Sequence, residues 1–575
     1  MTDTANANAR EVLDVLAARG VETFFVSPGS RNAPLLIGLE SRRQLKKICI
    51  PDERTAAFAA LGHSLVSRKP VALACTSGTA LYDYSPAVAE AYYQHVPLIV
   101  VTADRPSQWI GQDDSQTLHQ FGALSKIVKR SFDIYSDAGA CTDCPGELFA
   151  DEREWYANRV ANEAFITATT GLPGPVHINM QFADPLGAVA EKTVREPRLV
   201  EYVPAEGRLS KNHMEMLAAR VKGKRILVVA GFMPPQHSLH KALARFVSLP
   251  NVALMSETIS NLHLGVYCHM VDTLLSRLTT EETKEIEPDI VITIGGALVS
   301  RMLKEFLRRC DRAEHWTLDD TDVSADCLQR LTLHADCEPA AFFSGMAGAV
   351  RRLQKQEGLS GDALHYGAKV SGLQRRKYAE SREELGKAPW SELKALAQVF
   401  DWIPEDYNLF LSNGTVIRYA QILSSRLPHG SYCNRGVSGI DGSNATALGC
   451  AMAYKGTTLL ITGDMSFAYC PEVMGLASLG GDLRIILVNN SGGGIFRFIK
   501  TTRDLPMREK CFCAPHDLPA KELAEAYGWR YRKAADEEEL TAALACLKGN
   551  ANTLVEITAD KETSATALIG FLKAR

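Results

Sequence analysis

Residues 461–496 read ITGDMSFAYCPEVMGLASLGGDLRIILVNNSGGGIF, and the order of apolar runs and turns within them decides the fold. An apolar run over 458–462 stops at Gly463-Asp464. A helical stretch follows, and a second apolar run over 483–488 stops at Asn489-Asn490 and the glycines of 492–494. Short continuous apolar runs separated by helix predict buried parallel strands. Parallel strands joined by a helix bring their carboxyl ends to one edge of a sheet, where open α/β folds bind ligands. Asp464 and Asn490, about 25 residues apart, are therefore expected to meet at that edge. A carboxylate, an amide oxygen and a carbonyl from the glycine turn make a hard, oxygen-only half-shell. Such a shell suits Mg²⁺ when phosphate oxygens complete the octahedron. The N–H groups of 492–494 are expected to be free to hold those phosphates. Either turn alone commonly just ends a strand; the pair at this spacing argues for a shared ligand.

The stretch resembles the diphosphate-binding motif of thiamine-diphosphate (ThDP) enzymes, which begins Gly-Asp and ends Asn-Asn. Met465 stands where that family usually has glycine, which leaves the metal ligands untouched. The resemblance implies ThDP held through Mg²⁺, or Mn²⁺ in its place, by Asp464, Asn490 and the Gly492 carbonyl. It also implies that Gly463, Met465, Ser466 and Gly493 line the cofactor, with Ile495 and Phe496 as part of a dry wall beside it.

Composition is compatible with such an enzyme. The chain has 575 residues, enough for three or four domains of about 150 residues each. It is 46% hydrophobic and 23% charged, with a net charge of −4, so it lacks the basic surplus of a nucleic-acid binder. No apolar run approaches the ~18–20 residues of a membrane span. The opening MTDTANANAREVLDVLAARG has no basic segment before an apolar core, so it reads as an amphipathic helix with Val12, Leu13 and Leu16 on one face. The 14 cysteines are scattered singly, as in a reduced cytoplasmic protein. Cys141/Cys144 and Cys511/Cys513 are the only close pairs, and the lone C-x-x-C of the first has no second pair or nearby His to complete a zinc site, so they read as structural or incidental thiols.

Along the chain, strands are expected at 23–26, 47–50, 71–75 and 98–102. Each runs into a polar turn: Ser27-Pro-Gly-Ser-Arg31, Pro51-Asp-Glu-Arg54, Thr76-Ser-Gly-Thr79 and Ala103-Asp-Arg-Pro106. An Ala-rich helix is expected at 55–66. Short strands separated by helices define a doubly wound parallel sheet with those turns on one edge. After an irregular stretch at 191–204, strands at 224–230, 252–255, 289–294 and 315–318 predict a second α/β domain. It carries no dinucleotide fingerprint, and the chain carries no P-loop. The charged segment 351–387 reads as a helical connector with solvated faces. Strands at 408–411, 431–434 and 553–557 join the two of the opening stretch in a third α/β domain. The irregular, charged segment 503–513 reads as a surface loop or a lid. The fold class is thus α/β with three doubly wound parallel-sheet domains. They divide as 1–190 (pyrimidine side), 205–350 (central), a connector at 351–388, and 389–575 (diphosphate side).

Glu53 opens a helix, where a glutamate is favoured by the helix dipole alone. The turn Pro-Asp-Glu-Arg nevertheless resembles the glutamate-bearing turn of the ThDP pyrimidine domain, and implies that Glu53 hydrogen-bonds the aminopyrimidine ring. The resemblance narrows at Ser27–Arg31 (SPGSR), Thr102–Pro106 (TADRP) and Asn434–Gly442 (NRGVSGIDG). These look like motifs of the ThDP-dependent carboligases of menaquinone biosynthesis, transferases acting on 2-oxoglutarate and isochorismate. Pro28, Ser77 and Ile440 then match cofactor positions, Ile440 as the bulky support that keeps the cofactor bent. Both substrates are dicarboxylates, which arginine's planar fork suits better than lysine's point charge. Arg31, Arg105, Arg418 and Arg435 all lie at or just beyond expected strand ends. The resemblance assigns Arg105 and Gln116 to isochorismate, Arg418 and Arg435 to substrate binding, and Arg301 more weakly. Gly414 stands where the family has a serine. A cytoplasmic homodimer or homotetramer is implied, with cofactor sites at the subunit interface and no nucleic acid or membrane partner. Two other readings stand beside this one: a ThDP lyase or decarboxylase such as an acetohydroxyacid-synthase-like enzyme, and a non-catalytic subunit.

Overall fold

The structure is a computed structural model that describes residues 2–136, 152–192, 195–205, 207–262, 269–319, 325–357, 362–424 and 428–573. The Cys141/Cys144 pair lies outside the described residues. By packing, the chain forms two compact units. One comprises Met1–Pro204, Gly436–Lys455 and Gly475–Asp482; the other comprises Ala205–Arg435, Gly456–Met474 and Leu483–Arg575.

The first unit opens with a short strand, β1 (Thr2–Thr4), and its main sheet has six strands: β2 (Thr23–Val26), β3 (Lys46–Cys49), β4 (Val71–Cys75), β5 (Leu98–Asp104), β6 (Ser131–Ile134) and β7 (Val176–Gln181), in the order β3-β2-β4-β5-β7-β6. Every pairing in it is parallel. The 191–204 stretch is preceded by β8 (Val189–Glu191), which closes antiparallel on β1. Val12, Leu13 and Leu16, on the helix Ala7–Ala18, are buried in the first core as their spacing requires. The helix Ser443–Ala453 packs against the helix Glu53–Ser67 of the same unit. A Cβ at Gly62 would lie 1.9 Å from the Thr446 carbonyl, and one at Gly449 1.9 Å from that of Ala59, so only glycine allows the two backbones to meet. This contact groups Gly436–Lys455 with the first unit, although in sequence it lies within the 389–575 stretch.

The second unit contains two sheets. The central one has five strands, β9 (Ile226–Ala230), β10 (Val252–Ser256), β11 (Ile290–Ile294), β12 (Glu314–Asp319) and β13 (Leu331–Asp336), in the order β10-β9-β11-β12-β13. β13 has no apolar run and only one fully buried residue, which is why its sequence does not announce a strand. The expected connector is not a solvated spacer. Within it Tyr366, Val370 and Leu373 of helix Tyr366–Lys387 are buried, whereas Phe342, Phe343, Met346 and Val350 of helix Pro339–Glu357 join the core ahead of it, within 205–350. Their apolar residues recur at helical spacing within a charged background, so net charge conceals a core face.

The third sheet has β14 (Asn408–Leu411), β15 (Gly430–Tyr432), β16 (Thr457–Gly463), β17 (Asp482–Asn489), β18 (Arg530–Ala534) and β19 (Thr553–Thr558), in the order β15-β14-β16-β17-β19-β18. Counted from its own first strand, each six-stranded sheet has the order 2-1-3-4-6-5. The connection from β16 to β17 is broken into short turns, Asp464–Phe467, Val473–Leu476 and Ala477–Leu479, rather than one helix. Pro471, without an N–H, and the glycines at 475, 480 and 481 deny it continuous hydrogen bonding. Among the described residues, no helix is long and apolar enough to cross a membrane.

Candidate active site

In the first unit, the strand ends are tied into rigid turns. Ser27 donates its hydroxyl to the Ile50 carbonyl (2.9 Å), Asn32 Nδ2 donates to the Ser27 carbonyl (3.0 Å), and Gly29 N–H donates to Asn32 Oδ1 (3.0 Å). This turn leaves Pro28 exposed. It buries Arg31, which donates to the Phe182 carbonyl at 2.9 Å. Glu53 is the first residue of its helix, whose Asp52 cap accepts from Thr55 N–H at 2.7 Å. Burial raises the Glu53 carboxyl above the usual range, and the Asp83 and Asp52 charges add to it. Ser77 is buried after β4, with a hydroxyl that has no hydrogen-bond partner among the described residues.

Arg105 leaves the end of β5 and pairs with Asp114 at 2.7 Å, while its buried Nε has no partner among the described residues. Burial lowers the pKa of Arg31, and the charge of Arg105 lowers it further, so the two guanidinium groups stand close. Gln116, exposed and with φ of +52°, lies on the loop beside Gly78, whose Cβ position is 3.7 Å from that of Gln116. The first edge therefore gathers Arg31, Arg105 and the loop carrying Gln116.

Beneath it runs a polar network that sequence reading missed. Asn179 Nδ2 donates to Asp104 Oδ2 (2.9 Å) and Asp133 Oδ1 (2.8 Å), and its Oδ1 accepts from Gln120 Nε2 (3.0 Å). Gln120 Oε1 in turn accepts from Gly78 N–H at 2.8 Å. The signal was present in β7, VHINMQ, where His177, Asn179 and Gln181 alternate with apolar residues yet all are buried. Burial raises Asp104 to about 6. Ile440 is half-buried in the 434–442 turn, which Glu90 holds by accepting from Gly436 N–H (2.5 Å) and Val437 N–H (2.8 Å).

In the second unit, β16 ends at Gly463, whose N–H donates to Ser412 Oγ at the end of β14 (3.3 Å). Asp464 is only 2% exposed. Its Oδ1 accepts from Met465 N–H (2.7 Å) and its Oδ2 from Gly492 N–H (2.8 Å). Burial raises its pKa, and these hydrogen bonds oppose the rise. Ser466 is buried beside it, and Ile495 and Phe496 are half-buried, with Phe496 5.6 Å from the Phe512 ring. Asp464 and Asn490 do meet across the sheet edge: the Asn490 backbone N–H also bonds the Asp464 carboxylate.

The glycine turn corrects one expectation. The N–H groups of 492–494 are not free: Gly492 donates to Asp464, Gly493 to the Cys513 carbonyl (2.7 Å) and Gly494 to the Gly492 carbonyl (3.0 Å). The turn closes on the 513 backbone so tightly that a Cβ at Gly492, where φ is +142°, would lie 2.5 Å from the Cys513 carbonyl. Glycine is required here for close approach.

The oxygen set fits a hard divalent cation. Asn490 Oδ1 is buried with no partner among the described residues, in the turn whose Gly492 N–H donates to the Asp464 carboxylate. A buried amide oxygen without a donor is costly unless something supplies positive charge. Among the described residues no group of three His, Cys, Asp or Glu side chains is placed to hold a metal; this set relies on one carboxylate and neutral oxygens instead. Sequence reading missed two neighbours. Glu392 accepts from Asn490 Nδ2 at 2.6 Å, and His516 Nε2 lies 3.7 Å from Asp464 Oδ2.

Arg418 donates to the Gly414 carbonyl, and Arg435 Nη1 to Asn413 Oδ1 at 3.0 Å. Burial, then the Arg435 charge, lowers the pKa of Arg418, so these two also stand close. Two buried acids interact with them, Glu257 just after β10 and Asp272 on the helix Val271–Ser276. Glu257, pushed up to about 7 by burial, accepts from Val299 and Ser300 N–H at 2.7 Å each, and Asp272 is pushed up to about 6. Gly414 has φ of +98°, a conformation in which a serine would be strained. Arg301 is not part of this group: its side chain is 77% exposed and pairs with Glu305 on its own helix. Leu303, Phe306 and Leu307 form that helix's buried face, which turns Arg301 outward. Segment 503–513 is tied down. Glu509 pairs with Arg497 (2.8 Å) and Arg508 (2.9 Å), and the Arg497 hydrogen bond leads in holding its carboxyl down to about 2.

Residues 8–123 match the family described as thiamine pyrophosphate enzyme, N-terminal TPP binding domain, and residues 413–557 match thiamine pyrophosphate enzyme, C-terminal TPP binding domain. Fold and edges thus define a thiamine pyrophosphate enzyme. The chain is 37% identical over 561 residues to a 2-succinyl-5-enolpyruvyl-6-hydroxy-3-cyclohexene-1-carboxylate synthase of Porphyromonas gingivalis, covering 97% of this chain and 95% of the relative. It is 34% identical over 543 residues to the synthase of the same description from Flavobacterium johnsoniae, covering 94% and 93%. It is 32% identical over 541 residues to that of Bacteroides fragilis, covering 93% and 92%. The chain belongs to the 2-succinyl-5-enolpyruvyl-6-hydroxy-3-cyclohexene-1-carboxylate synthase family.

Proposed function

We propose that the protein joins 2-oxoglutarate, after loss of CO₂, to isochorismate and so makes 2-succinyl-5-enolpyruvyl-6-hydroxy-3-cyclohexene-1-carboxylate for menaquinone biosynthesis. The observation that carries this reading is the crowding of like charges: Arg31 beside Arg105, and Arg418 beside Arg435, each pair close enough to depress an arginine pKa. Partly buried cations held together in this way are poised for dicarboxylate ligands. A pyruvate-specific lyase needs fewer of them.

ThDP, bound through Mg²⁺ or Mn²⁺, supplies the carbon nucleophile and the electron sink for decarboxylation. The protein's residues do the rest. Asp464, Asn490 and the Gly492 carbonyl hold the metal. Met465, Ser466, Gly463 and Gly493 shape the diphosphate pocket, and Pro28 and Ser77 line the cofactor. Glu53 holds a proton shared with the aminopyrimidine ring nitrogen, a task suited to a carboxyl whose pKa burial has raised. Ile440 would support the bound cofactor, and Ile495 and Phe496 would keep water from the reacting carbon. Arg105 and Gln116 bind isochorismate, and Arg31, Arg418 and Arg435 complete carboxylate recognition.

The working form is a cytoplasmic homodimer or a homotetramer built from such dimers, with each cofactor site shared between subunits. Supporting this, Tyr82 (49%), Tyr93 (52%), Trp109 (51%) and Phe121 (57%) are exposed aromatics of the first unit, residues that interfaces favour. A fully active species of monomer mass in analytical ultracentrifugation refutes the shared site. The activity is tested with ThDP, Mg²⁺ and 2-oxoglutarate, with and without isochorismate. The isochorismate chromophore should disappear only when 2-oxoglutarate is present. Consumption of pyruvate with isochorismate untouched overturns the assignment.

A further inference from the structure

We propose that Glu392 is a positioning residue that fixes the Asn490 amide with its oxygen toward the cation. The inference rests on the reading of Asp464, Asn490 and Gly492 as the metal-holding set. An asparagine amide is nearly the same shape either way round, so its orientation is decided by its partners. Only one orientation offers an oxygen to a metal.

Glu392 supplies that decision. It is the first residue of the helix Glu392–Trp402 and is 4% exposed. Its own N–H donates to Ser564 Oγ at 3.0 Å, which anchors the backbone. Its Oε1 receives Asn490 Nδ2 at 2.6 Å, and the Tyr419 hydroxyl bonds the same carboxyl group. Tyr419 is itself 1% exposed, on the helix that also carries Arg418. The positive end of the Glu392 helix favours a carboxylate at this position. Burial raises the Glu392 carboxyl above its usual range and the Asn490 hydrogen bond opposes that rise; as a carboxylate it only accepts, which matches the NH₂ of Asn490 that faces it at 2.6 Å. A flipped amide would set oxygen against oxygen in a buried, charged contact. The price of the correct orientation is an Oδ1 left buried without a partner among the described residues. A cation removes that deficit. Outer groups that orient a ligand in this way commonly govern metal affinity by about 10–100-fold.

The test is calorimetric titration of Mn²⁺ into the full-length protein with ThDP present, with the melting temperature of the ligand-free protein as a check on folding. Glu392→Gln lets its amide face Asn490 in either orientation, and should weaken Mn²⁺ binding by about 10–100-fold. The exchange variant Glu392→Gln/Asn490→Asp reverses donor and acceptor while keeping the net charge. An aspartate has no wrong way round, so the exchange should restore binding to within several-fold of wild type. Because Asn490→Asp also adds a carboxylate to the metal-holding set, the single Asn490→Asp variant is the control: it should bind Mn²⁺ more weakly than the exchange variant, and equal affinity of the two overturns the inference. Glu392→Gln binding Mn²⁺ as tightly as wild type overturns the inference, and so does an exchange variant as weak as the single one. If Glu392→Gln alone fails to fold, the exchange variant decides: affinity near wild type supports the orientation role, and affinity at least about tenfold weaker overturns it. Wild-type protein that binds no Mn²⁺ with ThDP instead overturns the metal-site reading, and the inference with it.

Discussion

The first and third sheets have the same strand order, yet their strand ends carry different chemistry. At the first edge the groups are charged and backed by charge: Arg31 and Arg105 stand by a network joining Asp104, Asp133, Asn179 and Gln120, and Glu53 opens the helix after β3. At the third edge the turns after β16 and β17 are closed by backbone hydrogen bonds around one carboxylate and one amide oxygen that has no partner among the described residues. Topology supplies the place in both cases, since open α/β sheets bind ligands beyond the carboxyl ends of their strands. What occupies that place follows from the donors each turn leaves over. The first edge leaves over partly buried arginines and a glutamate whose pKa burial raises; the third leaves over an amide oxygen without a partner among the described residues and, after β14 and β15, Arg418 and Arg435.

The sharpest way to break this comparison is Glu53→Gln. Carboligation should fall by about 10²–10⁴-fold while ThDP and metal binding persist. Turnover near wild type, measured in the isochorismate assay, contradicts the division of labour between the edges. The next largest effects come from Arg105→Lys and Arg435→Lys, each expected to raise a substrate KM roughly ten- to a hundredfold through loss of a bidentate pair. Steady-state kinetics should show Arg105→Lys acting on isochorismate. If both variants affect both substrates equally, the two edges are not separately specialised.

A third measurement concerns stability rather than rate. Burial raises the Glu257 carboxyl from 4.5 to about 7 in the folded protein, so folding favours its protonated form. The stability this provides is fully present below pH 4.5 and is lost as pH rises through about 7. Glu257→Gln should flatten that fall, which is on the order of 3 kcal/mol. Urea titrations at several pH values read the difference, and an unchanged slope shows that Glu257 does not titrate in this range. The smallest effect is expected for Arg301→Ala, on neither edge. Kinetics should be unchanged and stability altered by no more than about 0.5 kcal/mol. A marked rise in KM would return Arg301 to the substrate site.

Much of this was legible in the chain. The strand ends at Gly463-Asp464, Asn489-Asn490 and Pro51-Asp-Glu-Arg54 announce themselves because an apolar run followed by a turn is a local pattern. Segment 351–387 was misread because its charge outweighed an apolar stripe that shows only at helical spacing. The expectation of free glycine N–H groups failed because two of the acceptors, the Asp464 carboxylate and the Cys513 carbonyl, come from other turns, while Gly494 donates within its own turn.

The sequence by itself determined the α/β class, the family, and the residues that meet when two neighbouring parallel strands end together. Only the tertiary structure decided that Glu392 faces Asn490, that Glu257 and Asp272 lie beside Arg418 and Arg435, and that Gly436–Lys455 packs with the first unit. The physical reason is range. Turn chemistry and strand periodicity are settled by residues a few positions apart, whereas a hydrogen bond between residues 98 apart in the chain leaves no trace in either one's neighbours.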